Sequence, residues 1–175
     1  MKYVSCLFLC FLVAACGNGD AEADAVAYAA VNTPIENIDV AAEKEAIKAT
    51  ILSESAAFES KDIYQILEHY IDEDRITIIR NVPINDVEIL KFRGDRNRLG
   101  KMFTARLTNL DNAVFQMTKR TDWHINLSPR ADMAWVNFFQ TMQSGDEVIR
   151  SEEVRVLEKV DGKWKLAHVG GFFYR

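Results

Sequence analysis

Two of the three histidines in this chain, His124 and His168, fall in segments with strand-like alternation. An imidazole held there is a candidate general base when its pKa lies near the working pH. Asp122, two residues before His124, is a third candidate base. For His124 and His168 the plainer reading, a structural sheet residue, is the stronger one. Tyr64 and Tyr70 are candidate phenols, and Tyr70 closes a short helical segment where its hydroxyl could meet a ligand or only water. Trp135 and Asn137 alternate on one strand and could line a pocket together. The spacings also exclude chemistry. No HxH, HxxxH or HExxH pattern occurs, so no metal site is expected. No GxSxG elbow or glycine-rich phosphate loop occurs either, and Gly170-Gly171 reads as a bulge or a close backbone approach. No cofactor is expected.

The elements that must position these residues change character along the chain. "DVAAEKEAIKATILSESAAFES" carries Ile47, Ile51, Ser55 and Phe58 at helical spacing, with Glu43, Lys44, Lys48, Glu54 and Glu59 mostly on other faces. Asp39 is placed to cap it. "KDIYQILEHYI" repeats the pattern with Ile63, Ile66, Leu67 and Tyr70 behind an Asp62 cap. "RITIIR" is a short strand, followed by an irregular stretch around Pro83 and Asn85-Asp86. A third helix starts near Asp95, with Leu99, Met102, Phe103 and Leu107 on one face. Gly100 within it costs about 1 kcal/mol relative to alanine. From Val114 onward the pattern is strands, broken at Ser128-Pro129-Arg130, at Ser144-Gly145-Asp146 and at the hairpin pair Asp161-Gly162. Alternation sets Trp123, Ile125 and Leu127 opposite Asp122, His124 and Asn126. It groups Trp135 with Asn137, Phe139 and Thr141, and Trp164 with Leu166 and His168. Helices first and an antiparallel meander afterwards predict an α+β fold, with about three helices packed on a curved antiparallel sheet that leaves a concave mouth.

The chain has 175 residues, 49% of them hydrophobic and 27% charged, with a formal net charge of −5. No Lys/Arg-rich block stands out, which speaks against nucleic acid as a partner. "MKYVSCLFLCFLVAAC" is a different material: one cation, Lys2, then an apolar run too short to span a bilayer comfortably. Its end, "LVAAC", resembles the bacterial lipobox. That resemblance implies cleavage after residue 15, lipidation (palmitate among the acyl groups) at Cys16, and anchoring of a soluble domain at a membrane surface. Gly17 after the cysteine implies the outer membrane, with the domain facing the periplasm. Cys6, Cys10 and Cys16 are the only cysteines, so the domain itself has no thiol to pair. Residues 16–38 read as the lipidated cysteine and a flexible tether reaching about 25 Å on average. The domain is expected over residues 39–175.

The order of elements, with the closing "SEEVRVLEKVDGKWKLAHV", resembles the nuclear transport factor 2-like superfamily, which includes SnoaL-like proteins, ketosteroid isomerase and scytalone dehydratase. The quoted stretch is most similar to the association domain of calcium/calmodulin-dependent kinases, with its SEE-x-RV element before a DGKW hairpin. The resemblance implies a cone-shaped, cystatin-like fold with a pocket between sheet and helices, and a homodimer formed through the outer sheet face. It also implies that Arg155 faces the pocket, where its planar fork could hold a carboxylate. The pattern's second arginine, seven residues after the Trp, is Gly171 here, so the arginine pair is incomplete. Arg155 could instead pair with Glu153 or Glu158.

Three readings follow. The first is a lipid-anchored pocket domain that binds a small molecule, such as a carboxylate, through Arg155, Tyr70, Trp135 and Asn137. The second is an isomerase or dehydratase with His124, His168 or Asp122 as base. The third is a homo-oligomeric assembly module. The fold alone does not choose between them.

Overall fold

The computed structural model describes residues 38–82, 88–108, 115–144 and 146–174. The expected signal segment, Cys16, the tether up to residue 37, the Pro83 and Asn85-Asp86 stretch, and Gly145 lie outside the described residues. Three helices come first among the described elements. Helix α1 (Val40–Glu59) starts at Asp39, whose carboxylate accepts from the Ala42 amide at 3.0 Å. Helix α2 (Ile63–Glu68) starts at Asp62, which accepts from the Gln65 amide at 3.0 Å. Each cap satisfies one of the amide groups a helix leaves unpaired at its start. Helix α3 (Arg96–Thr108) is capped in the same way by Asp95 on Arg98. Gly100 has a packing reason: a Cβ there would come 3.0 Å from a Leu67 methyl, so its absence lets α2 and α3 approach. No helix among the described residues is long and apolar enough to cross a membrane.

The helices cover one face of an open, curved six-stranded sheet, so the fold is α+β. Its strands are β1 (Ile76–Val82), β2 (Glu88–Gly94), β3 (Phe115–Leu127), β4 (Met133–Ser144), β5 (Glu147–Val160) and β6 (Lys163–Tyr174). Their spatial order is β2-β1-β6-β5-β4-β3. The turn residues Asp161 and Gly162 both have positive φ, 50° and 75°, as a two-residue hairpin turn requires. Strand β2 was not anticipated. Its alternation (Leu90 and Phe92 inward, Lys91 and Arg93 outward) is short and follows a proline, which hid it in an irregular stretch. The sheet is also not wholly antiparallel, since β1 runs parallel to β6.

The core lies between helices and sheet: Ile47, Ile51, Ile66, Leu99, Val136, Leu157 and Leu166 are fully buried. Trp164 belongs to it. Its indole donates to Glu43 on α1 at 2.8 Å, and Lys159 reaches the same carboxylate at 2.5 Å. The DGKW hairpin is thereby fastened to the first helix. That bond to Lys159 keeps the Glu43 carboxyl below its usual pKa.

Two of the sheet's three register slips decide which of the candidate residues face the core. In β3 the pairing slips between Thr121 and His124, where Asp122 takes a positive φ of 54°. In β6 it slips at Ala167: Leu166 stands opposite Leu157, and His168 opposite Val156. A bulge places two residues against one and reverses the alternation beyond it. His168 therefore leaves the face it was expected to share with Trp164 and Leu166 and points outward, while Val169 and Gly171 turn in.

Candidate functional site

One transverse rung of the inner sheet face holds the chemistry. Phe138 on β4, Glu153 on β5, Gly171 on β6 and Arg80 on β1 stand side by side. The neighbouring rung is Val136, Arg155, Val169 and Ile78. Alternation on β5 buries Ser151, Glu153, Arg155 and Leu157 together, so a strand with polar residues at inward positions brings them into the core as a set.

Glu153 is completely buried. Its Oε1 accepts from the Ser151 hydroxyl at 2.7 Å. Its Oε2 pairs with Arg155 Nη1 at 2.6 Å and also accepts from Arg80 Nη2. Arg155 Nη1 further donates to the Val154 and Gly170 carbonyls, both at 3.0 Å. Gly171 is what permits this arrangement. A Cβ there would lie 3.1 Å from Oε1 of Glu153 and 3.2 Å from Nε of Arg80. The Arg155 guanidinium sits 5.5 Å from the centre of the Phe138 ring, and that of Arg120 sits 6.0 Å from the same ring. Trp123 stacks on Phe138 at 4.4 Å and fixes its plane. Arg120 donates to Gln140 Oε1 at 3.0 Å and to the Met117 sulfur at 3.0 Å. From the helix side, buried Glu54 on α1 accepts from the Tyr70 hydroxyl at 3.1 Å.

Three guanidiniums thus gather against two buried carboxylates. Burial works against the Glu153 charge, but Arg80 and Arg155 outweigh it and hold the carboxyl below its usual range. Burial also works against the Arg155 charge, and Glu153 and Glu54 more than offset it. Arg120 is pushed down by burial first and by repulsion from Arg155 second. The Tyr70 phenol is pushed well above its usual range by burial and by Glu54, and is a neutral donor. The Nε atoms of Arg80 and Arg155 are buried and have no hydrogen-bond partner among the described residues. A buried donor left unmade costs about 1–3 kcal/mol, and more when it is charged.

Of the expected site residues, Arg155 and Tyr70 come together inside. Trp135 and Asn137 do not join them: they lie on the opposite sheet face, Trp135 half exposed and donating to Asn137 at 2.5 Å. They cannot share a site with Arg155. His124 is exposed on that outer face opposite Asn137, and Asp122 is exposed at the β3 bulge. His168 is half buried there, its Nδ1 2.7 Å from the Thr77 hydroxyl, and burial followed by the Arg155 charge lowers its pKa. None of the three candidate bases faces the interior. Of the two carboxylates suggested for Arg155, it is Glu153 that pairs. Glu158 binds Arg75 instead.

The sequence reading missed Arg80, Arg120 and Glu54. Arg80 was legible as the third inward position after Ile76 and Ile78. Glu54 is three residues from Ile51 and seven from Ile47, so it borders the apolar stripe. Arg120 carried no signal, because strict alternation from Trp123 points Thr121 inward and only the bulge reverses it. Among the described residues no group of His, Cys, Asp or Glu could hold a metal ion.

Solved structures match this architecture. The fold is that of the nuclear transport factor 2-like proteins. One such protein of unknown function from Pseudomonas putida superposes with a TM-score of 0.59 at 16% identity, covering 78% of this chain and 89% of that one. A candidate calcium/calmodulin-dependent protein kinase type II association domain from Thiobacillus denitrificans gives 0.54 at 14%, over 73% and 94%. A ketosteroid isomerase-like protein from Erwinia carotovora atroseptica gives 0.50 at 18%, over 75% and 95%. No protein-family model and no curated protein sequence matches the chain.

Proposed function

We propose that the chain is a lipid-anchored envelope protein whose nuclear transport factor 2-like domain binds a small organic anion between helices and sheet. The observation that carries this reading is Arg155: almost fully buried, with an unpartnered Nε, in a cluster where guanidiniums outnumber carboxylates. A buried cation in surplus is costly unless an anion joins it. A carboxylate is the planar acceptor that fits a guanidinium edge. Arg80 is adjacent to Gly171, the position where the related association-domain pattern has its second arginine, and brings a guanidinium to that rung from the neighbouring strand. The pair is thereby completed in a different way.

The test is a thermal-shift titration of the full chain in detergent with acetate, propionate, butyrate and benzoate. The expected result is a saturable rise in Tm with at least one of them, lost in Arg120→Met. No shift with any of the four would sink the anion reading. The anchor is tested separately: palmitate incorporation should be lost in Cys16→Ser, and retained labelling would refute it. A homodimer through the outer sheet face accounts for its exposed Trp135, Phe139 and Phe172. A proton-transfer reading rests on Glu54 and Tyr70 rather than on His124, His168 or Asp122.

A further inference from the structure

The interior charges themselves select a ligand class. Arg80, Arg120 and Arg155 face Glu54 and Glu153, and Tyr70 is a neutral phenol held by Glu54. Three other titratable groups act on this cluster from outside it, one of them His69, half buried at the end of α2, where burial lowers its pKa against the pull of Glu54. His168 is on the far face of the sheet, and Glu59 is exposed, accepting from the Met117 amide at 2.9 Å. Two of three interior cations are therefore already neutralised, and one is not.

Glu153 is built to stay where it is. Its carboxylate is locked by Ser151 on one oxygen and by two arginines on the other, and it occupies the space that the missing Gly171 side chain leaves. Arg80 and Arg155 each spend an Nη on it and keep Nε as a free donor. An incoming carboxylate would find those two donors unspent. A second carboxylate on the same small ligand would meet the fixed negative charges of Glu153 and Glu54 in a medium that screens them poorly.

We propose that Glu153 acts as a resident counter-ion that restricts this site to small monocarboxylates and excludes dicarboxylates, with Glu54 adding to the exclusion from the helix side. This rests on the anion reading above and makes it specific. Specificity here comes from a repulsive element as much as from an attractive one.

Butyrate and succinate test it, because they share a four-carbon chain and differ by one carboxylate. Isothermal titration of the full chain should find butyrate bound about tenfold or more tighter than succinate. Glu153→Gln, nearly isosteric, should shift that ratio toward succinate by about tenfold or more, and Glu54→Gln should shift it the same way by less. Succinate binding the native chain as tightly as butyrate would overturn the proposal while leaving the anion site intact. So would an unchanged ratio in folded Glu153→Gln, with folding checked by circular dichroism. Where Glu153→Gln does not fold, Glu54→Gln decides, and an unchanged ratio there overturns it. Binding of neither ligand to the native chain would overturn the anion site and the proposal together.

Discussion

Arg75 and Glu153 are opposites built from the same parts. Arg75, just before β1, gives one guanidinium to two carboxylates: Nε to Glu73 at 2.6 Å, and two further nitrogens to Glu158, one of them at 2.6 Å. Glu153 gives one carboxylate to two guanidiniums. Arg75 is 42% exposed at the edge of the fold, whereas Glu153 is fully buried. The surplus charge of the first cluster is solvated by water, and nothing further is asked of the protein. The second gathers around a fully buried carboxylate and a buried Arg155, with Arg80 and Arg120 only partly open to water, so its surplus calls far more on protein or ligand. Equal hydrogen bonding therefore marks a surface clip in one place and a functional candidate in the other.

Breaking the buried cluster should cost most. Glu153→Ala strands Arg80 and Arg155, and should lower unfolding stability by about 3–5 kcal/mol, read from urea midpoints. The native chain should also lose this contribution in acid. The Glu153 carboxyl lies lower when folded than when unfolded, so its stabilisation is complete at neutral pH. It fades as pH falls below the usual carboxylate range toward the folded value. A Glu153→Gln variant that folds should lack that component of acid sensitivity. A native urea midpoint that does not move between roughly pH 7 and pH 3 would contradict the assignment.

A smaller loss is expected from Gly171→Ala. Its methyl would press on the Glu153 carboxylate and Arg80 Nε, costing about 1–3 kcal/mol by overpacking. The loss should shrink in the double variant with Arg80→Ala, since the crowded partner is gone. At the other extreme, Glu158→Gln at the Arg75 clip should leave the urea midpoint within error, because an exposed ion pair contributes little. If Glu158→Gln cost as much as Glu153→Ala, the contrast between the two clusters would collapse.

The fold was largely legible from local pattern. The caps Asp39, Asp62 and Asp95, the helical stripes, and the Asp161-Gly162 turn all state their structure within a few residues. The site was legible only in part. Arg155 and Tyr70 were found, Arg155 through the SEE-x-RV resemblance and Tyr70 from its place at a helix end. Arg80 and Glu54 sit at positions whose spacing borders the inward face, but a charged side chain there is equally what a solvated position carries. Arg120, and the outward turn of His168, depended on bulges. A bulge leaves its mark in hydrogen-bond register between strands, which a single strand's sequence does not carry.

The β6 bulge has one more consequence. Everything from His168 to the end of β6 takes its orientation from a single supernumerary residue, Ala167. With Ala167 retained but paired regularly, the strand would run half a cycle out of phase. An imidazole would then enter the interior opposite Arg155, Gly170 would take the place Gly171 now holds beside Glu153, and Phe172 would turn inward opposite Ser151. What β6 contributes to the interior is thus set by register as much as by side-chain identity. A lineage of such chains could add a histidine to an arginine-and-glutamate interior by losing this one bulge, with every amino acid near the site left unchanged.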